Sequence, residues 1–138
     1  MRRVKLVFVS MILASMLLTA CNPIKEDSRA TSLRNVLWAY EKTLRWGGKN
    51  EMFKAWAFQS DELQISNPPP GNLSNIRISG YTQVGAPVQL DEDLVEVTAR
   101  IDYILNDRQI AKELLDRQRW HYNDDKDGWE RITPVPGF

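Results

Sequence analysis

From residue 94 the chain alternates apolar and polar side chains almost without a break. In LVEVTARIDYIL, residues 94–105, Val95, Val97, Ala99, Ile101, Tyr103 and Leu105 fall on one side. Glu96, Thr98, Arg100 and Asp102 fall on the other. A period of two marks a strand with one face against a core. NIRISGYTQV, 75–84, repeats the pattern more weakly, with Ile76 and Ile78 opposed to Arg77 and Ser79. QIAKELLDRQRWHYN, 109–123, has a composition that would also suit a helix. It follows the turn residues Asn106 and Asp107 and ends with Trp120 and Tyr122 on one face, which predicts a strand. DDKDG then turns the chain, with its glycine at positive φ, into WERIT, a last strand stopped by Pro134.

In the first half the period changes. Leu33, Val36, Leu37, Tyr40 and Leu44 recur at the spacing of one helical face. Thr31 or Ser32 can cap this helix, and Gly47 and Gly48 end it, with Arg45 in the last turn. Trp38 and Trp46 lie off the stripe, along its edges. NEMFKAWAFQS, 50–60, predicts a short second helix capped by Asn50, with Met52, Phe53, Trp56 and Ala57 as its apolar side. SNPPPGN, 66–72, cannot continue a helix and reads as a rigid extended connection. NPIKEDSRAT, 22–31, is polar and aperiodic, as a tether would be. Helices first and antiparallel strands after predict an α+β fold, with N-terminal helices packed on one face of a curved antiparallel sheet.

The N-terminus has a different character. MRRVK is basic, residues 6–18 are almost wholly apolar, and the small residues Thr19 and Ala20 precede Cys21. That order is the order of a secretory signal. The apolar run falls short of the ~20 residues that a membrane-spanning helix needs. LTAC, 18–21, resembles the lipobox of bacterial lipoproteins. The resemblance implies cleavage between Ala20 and Cys21 and a diacylglyceryl group on the Cys21 sulfur. It also implies, as a rule, a further acyl chain on the new N-terminus. A thiolate is the nucleophile such chemistry requires, and stable anchoring takes more than one chain. The expected division is a signal peptide over 1–20, a lipidated cysteine and tether over 21–31, and a single α+β domain over 32–138. In lipoproteins of this kind an Asp after the cysteine commonly retains the protein in the inner membrane. Asn22 therefore implies the outer membrane, facing the periplasm.

Cys21 is the one cysteine, so the rest of the chain holds no disulfide and must be stabilised by its core. Basic and acidic residues number 18 each; without Arg2, Arg3 and Lys5 the balance is 15 against 18. A net negative domain argues against nucleic acid or an anionic membrane face as the partner.

The element order, and the ending DRQRWHYNDDKDGWERI at 116–132, resemble the nuclear-transport-factor-two-like (cystatin-like) roll. With YEKTLRWGG, the ending is also similar to small proteobacterial lipoproteins carrying such a domain. This fold hosts enzymes, binding modules and assembly proteins alike.

Candidate chemistry is sparse. Asn123, Asp125, Asp127 and Gly128 match the opening of a calcium-binding EF-hand loop, but Pro134 stands where its bidentate Glu belongs. His121 is the lone histidine, too little for a zinc site and without a marked nucleophile beside it. Asp102, Tyr103, Tyr81 and Asp116 are of the type that roll enzymes use for proton transfer in a pocket. Asp102, however, falls on the polar face of its strand. Arg117, Gln118 and Arg119 read as a solvated strand edge. The five tryptophans mainly predict core packing, with some free to line a groove for a ligand, a glycan or a partner strand.

The expectation is a non-enzymatic lipoprotein with no catalytic residue, metal or cofactor. Its lipid would hold it to the membrane, where an envelope protein is the expected partner. Trp46, Trp120, His121, Tyr122 and Trp129 are the candidate contacts. The second reading is a small-ligand binder or enzyme that uses the pocket of the roll. The oligomeric state is left open.

Overall fold

The computed structural model describes residues 23–138. The expectations about the signal peptide, the lipobox and Cys21 fall on residues outside these. The chain divides into two units at Thr31/Ser32, and the packing below is that of the second.

Helix α1 spans Pro23–Trp46. It takes in the described part of the segment expected to be a tether, so Thr31 and Ser32 lie within the helix rather than capping it. The expected stripe faces inward: Leu33, Tyr40 and Leu44 are buried, with Val36 and Leu37 packed beside them. The helix closes with the Gly47 amide bonded to the Thr43 carbonyl at 3.0 Å. Gly47 is needed for space, because a Cβ there would run into that same carbonyl oxygen.

Gly48, at φ +56°, reverses the chain into the single turn α2, Gly48–Glu51. Asn50 therefore lies inside a helix instead of capping one. Residues Met52–Phe58 form a 3-10 helix rather than an α-helix. With three residues per turn, Met52, Ala55 and Phe58 share a side. Met52, Ala55 and Trp56 are buried, while Phe53 and Ala57, expected inside, are exposed. A six-residue helix α3, Asp61–Ser66, follows, with no buried residue to announce it.

Five strands make one antiparallel sheet. They are β1 Ile76–Gln83, β2 Val88–Asp91, β3 Leu94–Leu105, β4 Ile110–Asn123 and β5 Gly128–Arg131. The path runs β1-β3-β4-β5. Its register sets Ile78 opposite Tyr103, Val95 opposite Trp120, and Trp120 opposite Arg131. The short strand β2, exposed throughout, continues the β1 edge by pairing with residues 94–96 of β3. Register shifts at Ile78/Gly80 and Gln89/Asp91 add local bend. Strands β3 and β4 have 12 and 14 residues, long enough for their right-handed twist to curl the sheet strongly.

The fold is therefore α+β, with helices on the inside of a curled antiparallel sheet, consistent with a cystatin-like roll. Val95, Val97, Ile101 and Tyr103 of β3 meet Tyr40, Leu44 and Trp56 from the helices in a single core. Positive φ in the final hairpin falls on Asp127 (48°) rather than Gly128. Aspartate tolerates that region because its carboxylate bonds locally, here accepting from the Tyr122 hydroxyl.

Candidate functional site

Alternation along β4 points Asp116, Gln118, Trp120 and Tyr122 to the inner face. On β5, Arg131 points the same way and is fully buried. All of its N–H donors are used. Nε bonds the Thr133 carbonyl at 2.7 Å. Nη1 donates to the Tyr40 hydroxyl at 2.7 Å and to Asp116 Oδ2 at 2.9 Å. Nη2 donates to Asp116 Oδ1 and the Pro134 carbonyl, both at 2.6 Å. Gln118 extends the network: Nε2 donates to Asp116 at 2.9 Å and to the Tyr81 hydroxyl at 2.8 Å. Its Oε1 accepts the Trp120 indole N–H at 3.0 Å. The ring of Tyr40 meets Trp120 and Phe58 edge-on, at 5.6 and 5.7 Å.

This buried network ties α1, β1, β4, β5 and the C-terminal segment together. A second clip fixes that segment. The Gln59 carboxamide accepts from the Val135 amide at 2.9 Å and from Asn67 at 2.7 Å.

Burial raises Tyr40 well above the ordinary tyrosine pKa and pushes Tyr81 up to about 12. Burial also acts to lower Arg131, but the charges of Tyr40 and Asp116 and the Asp116 hydrogen bond outweigh it, and its pKa is raised. A tyrosine whose folded pKa is raised keeps its proton in the fold after the unfolded chain has lost it. Its contribution is therefore complete below about pH 10 and disappears as the pH climbs towards 12. Tyrosinate absorbance followed with circular dichroism should show Tyr40 and Tyr81 ionising only as the fold melts. Full tyrosine ionisation near pH 10 in a still-folded protein would contradict the buried network.

Of the four proton-transfer candidates, the fold links Tyr81 and Asp116 through Gln118. Asp102 and Tyr103 alternate to opposite faces of β3; Tyr103 packs on Phe138 with ring centroids 5.4 Å apart. Asp116 is committed to Arg131 on both oxygens, so the inner face is occupied by its own hydrogen bonds.

The five expected contact residues do not form one surface. Trp120 has no exposed area and is a core residue, out of reach of any partner. Tyr122 is buried and meets Trp129 edge-on at 5.3 Å. His121 points to the other face of β4, with Nδ1 4.0 Å from Glu130. Trp46 stands apart on α1, 71% exposed. Arg117 and Arg119 are solvated as expected, but Gln118 between them is wholly buried.

In the acidic hairpin, Asn123 Oδ1 accepts the amides of Asp125 and Lys126 at 3.0 and 3.2 Å, as a turn residue does. Lys126 Nζ sits 2.9 Å from Asp61 and 3.1 Å from Glu130, and these hydrogen bonds, Asp61's first, raise its pKa. Among the described residues no cluster of three or more His, Cys, Asp or Glu could hold a metal ion.

The outward feature lies on α1. Trp38 is 63% exposed and, like Trp46, faces solvent. Between them is Lys42, its Nζ 4.9 Å from the Trp38 ring centroid. The Arg45 guanidinium lies 5.0 Å from the Trp46 ring centroid. These indoles, with Lys42, Thr43, Glu51 and Lys54, line an open groove of about 320 Å³.

No family model matches the chain. Nor does any curated protein or solved structure match it significantly. The residues themselves carry the assignment.

The reading of the sequence missed Arg131 and Gln118 as buried groups. The signal was present: both sit in phase with a neighbouring tryptophan, Arg131 with Trp129 and Gln118 with Trp120.

Proposed function

We propose that the chain is a non-enzymatic bacterial envelope lipoprotein, acylated on Cys21 and held at the outer membrane facing the periplasm. There the roll-like domain binds or supports another envelope component. Anchoring raises the domain's effective concentration near membrane partners without any further contact. The observation that carries the reading of the domain is the exposed Trp38–Lys42–Trp46 face. Large aromatics left in solvent beside cations are typical of surfaces that meet something else. The lipobox supports the address. Among the described residues no helix is long and apolar enough to cross a membrane.

The second reading, a pocket enzyme or small-ligand binder, draws less support. Its best carboxylate, Asp116, is fixed by Arg131, and Tyr81 is tied into the same network through Gln118.

Replacing Cys21 tests the address. In Cys21→Ala, incorporation of labelled palmitate should fall to background, and the protein should leave the outer-membrane fraction. Labelling that persists in the variant would refute the anchor.

A further inference from the structure

We infer that the Trp38–Lys42–Trp46 face, with Lys54, docks on an anionic phospholipid surface and orients the domain on the membrane that anchors it. The inference rests on the lipoprotein reading and names what the face meets first.

The face has the composition of an interfacial surface rather than of a protein-binding pocket. Trp38, Lys42 and Trp46 follow at intervals of four on α1, placing the indoles about 12 Å apart along one side of the helix. Both are mostly exposed. Indoles partition to the headgroup level of a bilayer because they join a flat apolar body to one N–H donor. Lys42 has no carboxylate partner among the described residues; its ammonium lies over Trp38. Arg45 is paired with Glu41 at 3.1 Å in a half-buried contact, and Lys54 with Glu51 at 3.0 Å in an exposed, easily exchanged one. Such cations can turn to phosphate while their stems stay against the rings. The whole domain is acidic, but the cations here are interleaved with the only tryptophans left mostly in solvent.

Chain length supplies the opportunity. Cys21 precedes Trp38 by 17 residues. Even fully extended, that segment reaches no more than about 60 Å, so an acylated Cys21 keeps the face close to lipid at all times. An anchor and an aromatic-basic face act together as two signals do in peripheral membrane proteins.

The test uses the full protein, purified from membranes as the cell makes it. It is reconstituted in vesicles of phosphatidylethanolamine and phosphatidylglycerol with brominated acyl chains, which quench nearby indoles. Wild type should lose at least about twice as large a share of its tryptophan emission as Trp38→Phe/Trp46→Phe, since of the three indoles the variant keeps, Trp56 and Trp120 are buried and Trp129 is half-buried. Replacing phosphatidylglycerol by neutral lipid should weaken the wild-type quenching, as should Lys42→Glu. Circular dichroism of the variants should match wild type, because the replaced side chains are exposed.

Equal quenching in wild type and the double variant, on protein carrying acyl mass at Cys21, would overturn the docking face and leave the anchor standing. Quenching of Trp38 and Trp46 in protein without acyl mass would support the face and remove the anchor. A concentration-dependent dimer abolished by the double variant would assign the face to a second copy and overturn the inference.

Discussion

Asp116→Ala should cost about 3–5 kcal/mol of stability, because it leaves a buried guanidinium without its counter-charge. Asp116 and Arg131 are both buried and meet through two parallel hydrogen bonds of 2.9 and 2.6 Å. Removing the carboxylate also strips Gln118 of one acceptor. Adding Arg131→Met should recover part of the loss, since a pair removed together leaves no orphan charge. Urea midpoints of the two single variants and the double variant give the coupling directly. Additive losses would mean that the two groups do not act as a pair.

Trp120→Ala should cost a similar amount, about 3–5 kcal/mol, by a different mechanism. The indole is fully buried between Tyr40 and Phe58, so its removal opens a cavity in the centre of the core. Its N–H also satisfies Gln118 Oε1. Trp120→Phe separates the two effects. It retains most of the packing but strands the Gln118 oxygen, for a loss of about 1–3 kcal/mol. Denaturation midpoints for both variants decide the matter; a phenylalanine as harmful as alanine would show that the hydrogen bond dominates.

Together these residues explain why the inside of the roll is a framework. Tyr40 comes from α1, Tyr81 from β1, Asp116, Gln118 and Trp120 from β4, and Arg131 from β5. Arg131 bonds both Tyr40 and Asp116, and Gln118 bonds Tyr81, so the network fixes the helix and β1 on β4 and β5. A stiff scaffold of this kind can present the tryptophans of α1 in a fixed orientation.

Strand β3 was legible residue by residue, because a partner on each edge and a core on one face leave only one pattern that works. The stripe on α1 was equally plain, and so was the exclusion of Trp38 and Trp46 from it. The N-terminal part of α1 was not, since Ser28, Ala30 and Thr31 are exposed and leave no buried stripe for a periodicity to show. Strand β2 was invisible for the same reason: its four residues are all exposed. The 3-10 segment was misread because Met52, Phe53, Trp56 and Ala57 also suit an α-helical face, and only the tighter turn exposes Phe53 and Ala57. The buried network was hidden in a different way. Asp116 and Gln118 occupy inward positions of β4, yet polar side chains there look solvated until Arg131 arrives fifteen residues after Asp116. Trp120 was nominated for contact when it belongs to the core, whereas Trp38, on the outward face, was noted without a role.

The most direct measurement is the mass of the N-terminal peptide of protein extracted from membranes. That peptide should begin at Cys21 and carry a diacylglyceryl group with a further acyl chain. A peptide beginning at Met1, with an unmodified thiol at Cys21, would contradict it.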